Sequence, residues 1–171
     1  MSKRTAILIL GLALSAVARA QDPCAGYAWN VAHERALFGG AVAAREAGAT
    51  LSAAPELSVD RLYELTLRPQ AAVHFATPPQ GKKHPDKDAY AGIAKVYIAK
   101  AGLYRVSVSE AFWVDLVHGE QVIASTEFAG VHACHAPRKI LLYQLPSGEV
   151  LLQLSGVADA RPRVLITPAP P

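Results

Sequence analysis

From Asp60 to Thr167 apolar residues recur at every second position, and no helix of roughly 10–15 residues fits between one alternating run and the next. No other feature of the chain constrains its fold as much. Tyr63, Leu65 and Leu67 alternate with Glu64, Thr66 and Arg68, and Pro69 stops the run. Val73 and Phe75 flank His74 in a second run, and a polar loop rich in Pro, Gly and Lys follows from Thr77 to Asp88. Val96 and Ile98 alternate with Lys95 and Tyr97; Tyr104, Val106 and Val108 alternate with Arg105, Ser107 and Ser109. Phe112 to Val117 is apolar on both faces except at Asp115, the mark of a strand inside a sheet. His118-Gly119-Glu120 reads as a turn with a return strand over Gln121 to Thr126, and Ile140–Leu145, Val150–Leu154 and Arg163–Thr167 complete the set. About nine short strands with frequent turn signals predict an all-β fold, an antiparallel, jelly-roll-like β-sandwich over residues 57–168.

Residues 21–56 have a different texture. Asn30 can cap a short helix from Val31 to Phe38 ended by Gly39-Gly40, with Trp29, Leu37 and Phe38 as its apolar face. Ala41 to Ala47 reads as a second, Ala-rich helical stretch, and residues 49–56 as a connection into the sandwich. Ahead of this segment, Lys3-Arg4, an apolar run from Ala6 to Leu14 and Ala18-Arg19-Ala20 form the pattern of a secretory signal peptide over residues 1–20, with cleavage expected between Ala20 and Gln21. The apolar run is too short to span a bilayer, which takes about 20 residues. A periplasmic or secreted protein is therefore expected, with no membrane span once the leader is cut.

Cleavage changes the charge balance. Losing Lys3, Arg4 and Arg19 takes the 17 basic residues to 14, equal to the 14 acidic ones. A nucleic-acid partner, which needs an excess of cations facing the phosphates, is thereby disfavoured. The one local basic cluster, Lys82-Lys83-His84 with Lys87, is diluted by Asp86 and Asp88. In an oxidising compartment the two cysteines, Cys24 and Cys134, are expected to form a disulfide.

Several constellations could carry chemistry. His132-Ala133-Cys134-His135 offers donors suited to zinc or copper, but an oxidised Cys134 leaves two imidazoles, and a third ligand would have to come from elsewhere, with His33 the candidate. No Gly-x-Ser-x-Gly elbow and no glycine-rich phosphate loop is present. A carboxylate pair for glycoside chemistry could be drawn from Asp115 with Glu110 or Glu127, and the same acids read equally as solvated strand residues. Asp115 in its apolar run must be paired, hydrogen-bonded or at a rim, where it could meet a ligand hydroxyl. Trp113 and Tyr97 join it as candidate ligand contacts, since sugar binding needs an aromatic platform beside polar groups.

Gly102-Leu-Tyr-Arg-Val-Ser-Val108, Phe112-Trp-Val-Asp-Leu-Val117, Leu145-Pro-Ser-Gly148 and Val150-Leu-Leu-Gln-Leu-Ser-Gly156 resemble the β-sandwich module that follows secreted bacterial peptidases, the pre-peptidase C-terminal type of domain. That resemblance implies an accessory or binding unit and carries over no catalytic residue. Asp22-Pro-Cys24, Trp29-Asn-Val31, His33-Glu-Arg-Ala-Leu-Phe38, Arg61-Leu-Tyr-Glu-Leu65 and the Phe128–Lys139 loop resemble a set of short exported proteobacterial proteins of unknown function, some labelled homogentisate 1,2-dioxygenase. Enzymes of that name are larger and cytosolic and hold ferrous iron through two histidines and a glutamate, a set without recognisable context in this chain. The expectation is a non-enzymatic exported binding module for an envelope protein or a glycan, needing no cofactor. The alternatives are a protein or enzyme with a transition metal at His132 and His135, and a carbohydrate-binding module.

Overall fold

The alternating runs form strands in a computed structural model that describes residues 22–81 and 88–170. The leader, its cleavage site and the Lys82–Lys87 cluster lie outside the described residues. One helix, α1 (Ala32–Phe38), precedes the strands, and Asn30 Oδ1 accepts the Ala32 amide at 3.0 Å in its first turn. The strands in chain order are β1 (Val42–Glu46), β2 (Glu56–Leu57), β3 (Leu62–Thr66), β4 (Arg68–Pro69), β5 (Tyr90–Ile98) and β6 (Gly102–Val108). They continue with β7 (Trp113–His118), β8 (Gln121–Ile123), β9 (Glu127–Gly130), β10 (Lys139–Leu145), β11 (Gly148–Val157) and β12 (Arg163–Pro168).

Two sheets result, one in the order β1-β3-β12-β6-β10-β9, the other β2-β5-β11-β7-β8 with β4 added on β5. The all-β sandwich is the expected fold. Its sheets are mixed, because β1 runs parallel to β3 and β2 parallel to β5, while the remaining pairs are antiparallel. Inward residues of both sheets, among them Val96, Ile98, Val106, Val108, Leu116, Leu152 and Ile166, make one continuous core. Each such side chain stabilises the fold by about 1.5–3 kcal/mol relative to exposure.

Parts of both outer faces are also covered, which explains why β7 reads as apolar on both sides. The N-terminal segment lies on the first sheet. Phe38 packs on Leu62 and Leu165, Tyr27 donates to the Pro137 carbonyl at 2.8 Å, and the Cys24–Cys134 disulfide ties the segment to the loop before β10. Residues 70–81 lie on the second sheet. There Gln153, almost fully buried on β11, accepts from the Ala76 and Thr77 amides and donates to the Thr77 carbonyl, while Val73 packs on Ala91 and Ile93.

Four local expectations change. Ala41–Ala47 is not a helix: residues 42–46 form β1, because pairing along β3 supplies hydrogen bonds that outweigh the helix preference of alanine. Val73 and Phe75 are not in a strand, but follow a 3-10 turn, Gln70–Ala72, in the segment held by Gln153. The strand expected over Gln121–Thr126 stops at Ile123, and the chain crosses to the other sheet as β9, which the sequence did not signal. The segment 21–56 therefore contributes β1 to the sandwich rather than only a helix and linker.

Candidate functional site

The short β8 is what creates a cleft. It pairs with β7 only from Leu116 to His118, so Trp113, Val114 and Asp115 have no strand beside them on that edge among the described residues. Residues 124–126 cross to β9, and a cavity of about 490 Å³ opens at this edge. That volume lies within the range of small-molecule sites, roughly 300–1,000 Å³. One wall is β7 with Gln80. The other is β10, where Lys139, Leu141 and Tyr143 occupy alternate positions and so share a face, with Phe128 of β9 directly opposite Leu141.

Trp113 and Asp115 are two residues apart on β7, so both point to the same side. The indole Nε1 donates to Asp115 Oδ1 at 2.8 Å, and the Gln80 amide donates to Asp115 Oδ2 at 3.1 Å. Gly81 continues over the ring so closely that a Cβ there would lie 3.2 Å from Trp113 Cγ. Burial pushes the Asp115 pKa above the ordinary carboxylate value, against the pull of its two hydrogen bonds. Tyr143 donates to the Val114 carbonyl at 3.1 Å, and burial, reinforced by the Asp115 charge, raises its phenol above the usual value. Burial lowers the Lys139 ammonium below its ordinary value, and that ammonium lies 5.8 Å over the Phe128 ring.

Of the expected ligand contacts, Trp113 and Asp115 therefore meet in one cleft. Tyr97 does not join them: it is exposed on β5, separated from β7 by β11. Phe128 and Lys139 were missed, because the chain places them on strands of the opposite sheet and only the fold brings them to Trp113. Glu110 and Glu127 do not line the cleft, whose one acid among the described residues is Asp115. The disulfide is formed as expected. His132 Nδ1 receives a hydrogen bond from Arg138 at 2.7 Å, and His33 Nε2 lies 3.0 Å from Asp60 Oδ1 on the surface. His135 is exposed in the disulfide loop, and the described residues contain no group of three or more His, Cys, Asp or Glu able to hold a metal ion.

A second polar centre was also missed. Arg105 on β6 is buried under α1, with Nη1 2.9 Å from Glu34 Oε1 and 2.9 Å from the Asn30 carbonyl, and its guanidinium lies 5.4 Å from the Trp29 ring. Thr167 donates to the same Glu34 oxygen at 3.3 Å. Arg105 falls on a polar position of its strand, which the alternation alone reads as solvent-facing; covering by α1 is what buries it. This pair fastens the N-terminal segment to the sheet.

No family model matches the chain, and no curated protein sequence matches it. Fold, disulfide and cleft thus define the molecule: a disulfide-linked β-sandwich with a ligand-sized opening at one edge. No helix among the described residues is long and apolar enough to cross a membrane.

Proposed function

We propose that this protein is an exported, non-catalytic binding module that takes a glycan into the cleft between β7 and β10. One observation carries the reading: of the three large aromatic side chains exposed among the described residues, two, Trp113 at 39% and Phe128 at 71%, line the same cavity. Aromatic faces receive the apolar faces of sugar rings, and polar groups between them bind hydroxyls. Asp115 keeps acceptor capacity on both oxygens after its bonds to Trp113 and Gln80. Among the described residues one carboxylate lines the cleft, which suits recognition. Glycoside hydrolysis in its common form takes two, about 5–9.5 Å apart. The leader pattern and the disulfide both support an oxidising compartment outside the cytoplasm.

Affinity electrophoresis through gels cast with a range of glycans tests the reading. The native protein is retarded by at least one of them, and Trp113→Ala and Phe128→Ala run at the mobility of the glycan-free control while keeping native circular dichroism. Equal retardation of both variants and the parent, or retardation that chelation of metals abolishes, overturns it.

A further inference from the structure

Among the described residues, the cleft contains a cation without a counter-ion. Lys139 begins β10 half-buried, and none of the ion pairs among the described residues includes it. The neighbouring Arg138 is turned to His132. The Lys139 ammonium lies over Phe128, so one side of it has exchanged water for the face of an aromatic ring. An ammonium losing water without gaining an anion costs free energy, and its lowered proton affinity reflects that cost. Asp115 is the acid on the opposite wall, beyond ion-pair range of Lys139, and is already engaged by Trp113 and Gln80. The cleft thus presents an unpaired cation beside one aromatic ring and a hydrogen-bond acceptor beside the other.

We infer that the ligand is a sugar acid, a pyranose bearing a carboxylate, whose carboxylate meets Lys139 beside Phe128 while its hydroxyls donate to Asp115 beside Trp113. The inference rests on the glycan reading and gives it a substrate class. A carboxylate fits better than a phosphate ester, because Lys139 is the sole cation lining the cleft among the described residues and Asp115 holds a like charge across it. A dianion would meet too little positive charge there.

Binding to an array that pairs sugar acids (uronates, N-acetylmuramate, nonulosonates) with their neutral counterparts tests the assignment, followed by titration of the best pair by calorimetry. The sugar acid binds about tenfold tighter than its neutral partner, or more, as a charged hydrogen bond in a partly buried site does. Lys139→Gln brings the two affinities within about twofold of each other by lowering the acid's alone, and Lys139→Arg retains the preference. Equal affinity of the native protein for acid and neutral sugar overturns the sugar-acid assignment and leaves the glycan reading standing, as does a preference that survives Lys139→Gln. Absence of binding across the whole array overturns the glycan reading itself, and this assignment with it.

Discussion

Asp115 shows how a single side chain links the core to the cleft. Its carboxylate is buried between an indole N–H and a backbone amide, yet burial still raises its pKa above the ordinary 3.8. A carboxyl with a raised folded-state pKa binds its proton more tightly folded than unfolded. Its contribution to stability is therefore most favourable in acid, and is lost as pH rises from 3.8 through the raised value. Denaturant titrations of the native protein and Asp115→Asn between about pH 3 and 7 should show the native protein losing stability relative to the variant across that window, with a constant difference above it. Unchanged difference throughout would mean that the carboxyl titrates alike in both states.

The Glu34–Arg105 pair makes a sharper residue-scale prediction, because both groups are out of water. Glu34→Ala strands a buried guanidinium and removes the acceptor of Thr167, so it should cost about 3–5 kcal/mol in urea denaturation. Replacing both partners, as Glu34→Leu with Arg105→Met, leaves no buried charge and should cost less than the single change. Equal or larger loss in the double variant would show that the pair itself, not the avoidance of an orphaned charge, stabilises the segment.

Among the elements, the central strands β5, β6, β7 and β10 to β12 were legible, since each buries alternate residues in the core between the sheets. β1 and β9 were not. Val42-Ala-Ala-Arg-Glu46 has the composition of a helix and becomes a strand only because β3 lies beside it. Glu127-Phe-Ala-Gly130 is a four-residue edge strand with an exposed centre, and so lacks the alternation that burial imposes on inner strands. The N-terminal segment is an element fixed by contacts distant in sequence. Its disulfide closes a separation of 110 residues, which in the loop-entropy account stabilises the fold by about 2–5 kcal/mol. The Cys24→Ser/Cys134→Ser variant should lose that amount in urea denaturation, and amide exchange should rise first over residues 22–40. Loss spread evenly over the chain would contradict the picture of a separately fastened layer.

For the whole molecule, the sandwich and the layers on its outer faces have one consequence for function: the opening left where β8 stops short is the part of the sheet edge that β7 shares with no other strand among the described residues. Half of this site could be read from sequence. Asp115 betrayed itself by interrupting an apolar run, and Trp113 as a large aromatic beside it, both local signals. Phe128 and Lys139 gave none, since their part depends on the approach of β9 and β10 to β7 across the gap between sheets, and neither spacing nor period encodes that approach. Tyr97 had the same credentials as Trp113 and sits away from the cleft for the same reason.

The most direct measurement uses the chain's two tryptophans, Trp29 and Trp113. Trp29 lies by Arg105 under the N-terminal segment, so Trp29→Phe leaves an emission that reports on the cleft alone. Titrating this variant with a glycan that retards the native protein should produce a saturable change in Trp113 emission, with the dissociation constant found by calorimetry. Saturable binding that leaves Trp113 emission unchanged would place the ligand elsewhere and contradict the cleft as the binding site.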